Sequence, residues 1–240
     1  MERSGGRGGQ PRVATREVVL AAVRLFTESG FDDTTMDQIA TATGVSRRSL
    51  FRRFGSKEDI LFAEHDELFS TVVRYLEASP DEPLTSVFAA ARLVLQGYLR
   101  DPEITVPRYR LVRAHPRLRD REVAMTARYQ AAFSSYLSRC GDGGGREGRS
   151  LAAGVAAASL ISAHNHVLRG WLRRPEQDSR EVWAGFDEAM DFVRRAAEPM
   201  LHAERGPRRD HVLVAVYPGD TGREELLRRI GAAVQASEGS

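Results

Sequence analysis

The chain has 240 residues, 42% of them hydrophobic, so it can bury a substantial core in one large or two small domains. Its net charge of +2 is too small for whole-chain electrostatics to indicate nucleic acid, and basicity matters only where it is local. Cys140 is the only cysteine, which excludes an intrachain disulfide and a cysteine metal cluster.

Residues 1–11 are rich in Gly and Arg and read as a disordered basic arm carrying Arg3 and Arg7. Such an arm can lie along a DNA minor groove or remain a solvated tail. No apolar stretch follows these arginines, so no signal peptide is expected. Thr15 to Ser29 reads as a helix with Val19, Ala22, Val23 and Phe26 on one face, ended by Gly30.

The segment from Thr34 to Ile60 carries the densest pattern. Thr35 with Gln38 forms a capping box, and Met36, Ile39 and Ala40 share one face of the helix it opens. Gly44 supplies the left-handed residue that ends it. Ser46 caps a second helix, in which Leu50 and Phe54 are buried and Arg48, Ser49 and Arg52 point outward. Arg47 lies in its first turn and Arg53 flanks the outward face. Ser56, with Asp59, caps a third helix. Two short helices about a glycine turn make a helix-turn-helix, whose second helix enters the major groove. Arginine there can fork onto guanine or pair with phosphate. Lys57, the only lysine, sits at a helix N-terminus, where a phosphate can also be held.

Ser56 to about Ser79 reads as one long helix. Pro80–Pro83 is a break, Leu84–Arg100 a helix, Asp101-Pro102 a second break, and a helix follows to about Ala114. His115-Pro116 makes a joint. Leu118–Arg139 is long and helical, with Met125, Tyr129, Phe133 and Tyr136. Gly141–Gly148 is a loop; it fits G-x-G-x-x-G by letter from Gly143, but no strand precedes it and a dinucleotide role is rejected. Arg149–Arg173 is a helix whose apolar run, Leu151–Ile161, is too short to span a membrane. His164 and His166 diverge and make no good metal pair; each suits hydrogen bonding in the core or interface, or a place facing a pocket. A helix from Glu176 or Asp178 runs to about Ala203, with Val182, Phe186, Met190 and Val193 on one side. His211–Tyr217 reads as a strand, and Thr221 with Glu224 opens a last helix, giving a β-α extension over 206–240.

The entry Thr34-Thr35, Ile39-Ala40, Gly44-Val45, Ser46, Leu50-Phe51, Arg53-Phe54 and Ser56-Lys57-Glu58 resembles the TetR family of bacterial transcription regulators. The resemblance implies an all-α fold: a three-helix helix-turn-helix head at 12–58 and a helical ligand-binding and dimerisation body at 59–205. It implies a homodimer on double-stranded operator DNA through Thr35, Arg47, Arg48, Ser49, Phe51, Arg52, Arg53 and Lys57. Phe51 stands where the family usually has tyrosine, so a phosphate contact through a ring hydroxyl is lost. The last two long helices of the body would form the dimer interface. The segment from Tyr109 to Leu137 resembles a subgroup of acyl-CoA-like ligand binders that includes regulators of mycofactocin clusters. Arg108, Arg110 and Arg113 would then meet phosphate or carboxylate, and Met125, Tyr129 and Phe133 would line an acyl tunnel; the same residues also suit an ordinary core with surface charges. The expected protein is a cytoplasmic, ligand-released repressor with no cofactor, metal site or membrane partner. A ligand-independent DNA-binding protein is the alternative. An enzyme is not expected, since no G-x-S-x-G elbow, His-Glu-x-x-His or P-loop is present.

Overall fold

The computed structural model describes residues 14–140 and 146–201. They form helices α1 (Thr15–Ser29), α2 (Met36–Thr43), α3 (Arg47–Phe54), α4 (Lys57–Ala78), α5 (Pro83–Arg100), α6 (Pro102–Ala114), α7 (Pro116–Cys140), α8 (Arg146–Arg173) and α9 (Ser179–Leu201), with no strand among the described residues. The basic arm at 1–11 and the β-α extension at 206–240 lie outside them.

Three of the prolines read as breaks or joints are the first residues of the helices that follow. Pro83, Pro102 and Pro116 open α5, α6 and α7, where a missing N–H costs nothing and the fixed φ suits the first turn. Glu82 caps α5 by accepting from the amides of Leu84 at 3.1 Å and Thr85 at 3.0 Å. α8 begins at Arg146, three residues before the expected start, so Gly148 is helical.

Two clusters of buried side chains hold these helices together. The first joins Val19, Ala22, Val23 and Phe26 of α1 with Phe31, Ile39, Leu50, and Ile60, Leu61 and Phe62 of α4. Ile104 and Val112 of α6 and Leu118 of α7 complete it. The expected boundary after residue 58 therefore falls inside a helix whose next turn is packed into the head core. The second cluster spans the C-terminal half of α4 (Val72, Leu76) and α5 and α7–α9, with Phe133, Leu160 and Phe186 almost wholly enclosed. Arg92 of α5 lies 4.4 Å over the Trp183 ring of α9 and pairs with Asp187 at 2.5 Å, which ties these two helices at their surface.

Among the described residues, α8 is the most apolar of the long helices by mean hydropathy. Over Gly148–Arg173 it is long and apolar enough to cross a membrane, with a mean hydropathy of 1.3 in its most apolar window. The shorter run Leu151–Ile161 understated this. Its inner face is nevertheless packed on α7 and α9 through Ala153, Ala156, Ala157, Leu160 and Leu168, the pattern of a helix covered on one side by protein.

Candidate nucleic-acid interface

The head is built by local rules that close one after another. Thr34 is buried, and its hydroxyl donates to the Gly30 carbonyl at 2.7 Å, fixing the entry to α2. Thr35 then caps α2: its oxygen accepts from the Gln38 amide at 3.3 Å, and Gln38 Oε1 accepts from the Thr35 amide at 2.7 Å. Gly44 ends α2 at φ 65°, ψ 13°, a conformation that L side chains adopt only at a cost. Ser46 accepts from the Ser49 amide at 3.3 Å and opens α3. Gly55, at φ 82°, turns the chain from α3 into α4.

On α3 only Leu50 is fully buried. Arg47, Arg48, Phe51 and Arg52 are exposed, and the Phe51 ring is 42% accessible. Ser49 is half-buried, with its hydroxyl 3.0 Å from that of Ser46. Arg47 reaches back to Asp37 of α2 at 3.0 Å and lies 5.4 Å over the Phe51 ring, which braces α3 against α2. Arg48 and Arg52 have no side-chain partner among the described residues, so both guanidinium groups face solvent from the outer side of the helix.

Two residues expected at the interface are placed otherwise. Lys57 turns inward, and its ammonium donates to the carbonyls of Phe31 at 2.5 Å, Asp32 at 3.0 Å and Thr34 at 3.0 Å. It also sits 4.6 Å over the Phe31 ring. An ammonium has three donors, and all three are used in closing the α1–α2 loop. The first turn of α4 also carries Glu58 and Asp59, which oppose an incoming phosphate. Arg53 points toward α1 and donates to the Thr15 hydroxyl at 2.6 Å. That hydroxyl in turn donates to Glu67 of α4 at 2.7 Å. Both side chains tie helices of the head to one another.

In the body, α4–α8 enclose a cavity of about 50 Å³. Met125, Tyr129 and Phe133 line it, and so does Arg108, which is only 5% exposed. Arg110 and Arg113 do not: both are exposed on the far side of α6, with Arg113 donating to the Tyr109 hydroxyl at 3.0 Å. Positions two and five residues from Arg108 project around the helix from it, so three arginines close in sequence could not share one cavity. His65 and Tyr98 also line the cavity and were not anticipated, and so does His164, for which a place facing the pocket was one of the readings. The spacing of α4, α5 and α8 gave no sign that these three would converge; a polar residue on an otherwise apolar face was the only local signal. Burial lowers the His164 imidazole to about 4 and holds His65 well below the usual histidine range, so both rings are neutral near pH 7. Burial also lowers the Arg108 guanidinium, which still remains charged. No cluster able to hold a metal ion occurs among the described residues.

A second groove, of about 790 Å³, runs along the outer side of α8 and α9. Small residues line it, among them Ser159, Ser162, Ala163, Gly170, Gly185 and Ala189, and Phe192 stands 68% exposed at its edge.

A short helix, a left-handed glycine turn and an outward arginine-bearing helix, braced on a third, define a helix-turn-helix protein of the DNA-binding class. Residues 18–63 match the family described as bacterial regulatory proteins, tetR family. The chain is 30% identical to the transcriptional regulator TcmR of Streptomyces glaucescens, over 74% of this chain and 81% of that protein. It is 30% identical to MftR of Mycobacterium tuberculosis, named as a mycofactocin biosynthesis transcriptional regulator, over 62% of this chain and 76% of the relative. A TetR-family structure from Syntrophomonas wolfei superposes with a TM-score of 0.57 at 14% identity, covering 79% of this chain and 97% of that one. The chain belongs to the TetR family of bacterial transcription regulators.

Proposed function

We propose that this regulator is a dimeric repressor whose hold on operator DNA is released by a small ligand bound in the body. The observation that carries the DNA contact is the pair Arg48 and Arg52, side by side on the outer face of α3 and without partners among the described residues. One or both would fork onto guanine, while Thr35, Arg47, Ser49 and the Phe51 ring approach phosphate and sugar. Arg53 and Lys57 would act through the shape of the head. The groove on α8 and α9 supports a two-fold interface, since small side chains let helices approach closely and Phe192 would be covered. Such a dimer would set its two α3 helices about 34–36 Å apart, one turn of DNA. Action on chromosomal DNA implies a cytoplasmic protein.

Ligand control rests on the cavity between α4 and α8, because α4 carries the head at one end and Phe62 and His65 of the cavity wall further along. Full release, from 99:1 to 1:99, requires about 5.5 kcal/mol of differential affinity. An acyl-CoA-like effector, as the resemblance implies, would find one buried cation here, Arg108. The second reading is a ligand-independent DNA-binding protein, and the closed volume of about 50 Å³ is what favours it.

Fluorescence anisotropy on DNA from the protein's own promoter region tests both, repeated with lauroyl-CoA and with a broad set of small hydrophobic compounds. Saturable binding that weakens steeply with salt and is relieved by one of these compounds supports the proposal. Binding that no compound shifts would leave the second reading standing. Absence of binding at low salt to any nearby DNA would refute both.

A further inference from the structure

The body cavity holds more polar chemistry than a hydrocarbon tunnel has use for. Tyr129 Oη, His164 Nε2 and His65 Nδ1 are each enclosed and have no hydrogen-bond partner among the described residues. Their residues are 5%, 4% and 6% exposed. The Arg108 guanidinium, equally buried, has neither an ion pair nor a hydrogen bond among the described residues, and its one close contact is the Tyr98 ring at 5.5 Å. Buried polar groups are nearly always satisfied, and three orphan atoms beside a buried guanidinium on one cavity point to atoms that a ligand supplies. They are also spread out. The Tyr98 ring lies between the His65 ring at 4.8 Å and the His164 ring at 6.3 Å, while Tyr129 comes from α7. An alkyl chain laid through this space would leave most of them unpaired against methylene groups.

Resting on the reading of this cavity as the effector site, we propose that its ligand is a compact oxygen-bearing aromatic acid, with its ionised oxygens on Arg108, further oxygens on His65, His164 and Tyr129, and its ring against Tyr98 and Phe133. A planar ring suits walls made of aromatic side chains, which meet it edge-on or offset. Neutral imidazoles can each donate or accept, so they fit hydroxyl or carbonyl oxygens equally. Glu122 is the one carboxylate of the cavity lining, and Glu64 lines the adjoining groove; both act on Arg108, and burial raises both carboxyls toward the neutral acid. The space is too small for such a ligand, but His65, Tyr98, Thr105 and Arg108 line both it and a groove of about 570 Å³ beside α1. That volume lies within the ~300–1,000 Å³ common for small-molecule sites. Movement of Tyr98 and Arg108 joins the two spaces, and the same movement puts the guanidinium on the ligand.

The test is calorimetric titration of the full-length protein, without DNA, with 3-hydroxy-2-naphthoic acid, its uncharged amide, and dodecanoic acid. The acid is expected to bind, and the amide and dodecanoate to bind at least about tenfold more weakly. Arg108→Gln should lose a similar factor for the acid and little for the amide. Tyr129→Phe, which removes one oxygen and keeps the ring, should weaken the acid by about threefold. Where Arg108→Gln does not fold, the acid-to-amide ratio on the native protein carries the comparison. Equal binding of acid and amide, tighter binding of dodecanoate, or no heat with the acid at millimolar concentration would each overturn the proposal. Because DNA is absent, a failure here is separate from a failure of operator binding, which the anisotropy titration reads.

Discussion

Arg121 of α7 holds Asp59 of α4 at 2.5 Å, and one heptad along both helices Arg128 holds Asp66 at 2.6 Å. The repeat extends to the rings: Arg121 lies 5.6 Å over Phe62 and Arg128 lies 4.4 Å over Phe69. Two rungs with the same acid, ring and arginine thus fasten the helix that carries the head to the helix that walls the cavity. Each rung is part-exposed, so its worth to stability is about 0–1 kcal/mol. Arg128→Ala is expected to lower Tm by no more than about 2–4 °C, checked by scanning calorimetry. A double-mutant cycle with Asp66→Ala should give a coupling below about 1 kcal/mol. A larger value would mean that the rung is held in a drier setting than its exposure indicates.

Arg48 and Lys57 should separate under substitution. Arg48→Ala is expected to leave the melting temperature nearly unchanged and to cost about 1–3 kcal/mol in binding to the operator. Lys57→Ala should do the reverse in order: it frees three carbonyls and lowers stability by about 1–3 kcal/mol, and DNA affinity falls only as the head loosens. Melting curves and anisotropy on the same two variants decide the matter. A Lys57→Ala protein with native stability and weak DNA binding would restore the phosphate role.

The buried histidines give the fold an acid limit. Each has a folded-state pKa below the unfolded value near 6.5, so the unfolded chain takes up protons first as the pH drops. Their stabilisation is complete above about pH 6.5 and is lost as pH falls toward the His164 value of about 4. For His164 alone the loss amounts to about 3 kcal/mol over that window. Urea midpoints at pH 7, 6 and 5 should decline, and His164→Gln should flatten the decline. An unchanged slope in that variant would remove His164 from the explanation.

Gly44 limits the helix-turn-helix by backbone conformation alone. Open space surrounds a Cβ there, so the obstacle to a side chain is the φ of 65° alone. Gly44→Ala is expected to cost about 1 kcal/mol, and Gly44→Asn less, because asparagine enters the left-handed region more readily. Denaturant midpoints for the two variants check the order.

Phe192 offers a direct probe of self-association. Phe192→Glu places a charge on the edge of the α8–α9 groove and touches nothing in the core, so the fold should persist. Analytical ultracentrifugation is expected to show a dimer for the native chain and a monomer for the variant. A dimer in both would move the interface elsewhere.

The head was legible in the sequence because its instructions are local. Thr35 with Gln38, Gly44, and Ser46 with Ser49 are caps and turns settled within four residues, and each stands as its spacing predicts. Lys57 is placed otherwise than its position suggests, for the opposite reason. Its partners lie 23 to 26 residues earlier in the chain, and nothing near Lys57 announces that three carbonyls of a loop will converge on it. The body repeats this contrast. Met125, Tyr129 and Phe133 share one face of one helix, so their common cavity follows from periodicity. His65, Tyr98 and His164 come from three helices, and only the packing of those helices brings them together.

The head core is closed by Ile104, Val112 and Leu118, which arrive more than forty residues after Phe62. An experimenter who wished to exchange reading heads between relatives would therefore find no clean place to cut. A graft ending in α4 would carry away one half of a fitted joint and leave its counterpart on α6 and α7 facing a stranger. Chimaeras built from this chain should need those three side chains transplanted along with the head, and the first variants to recover solubility should carry changes at these positions rather than at the splice.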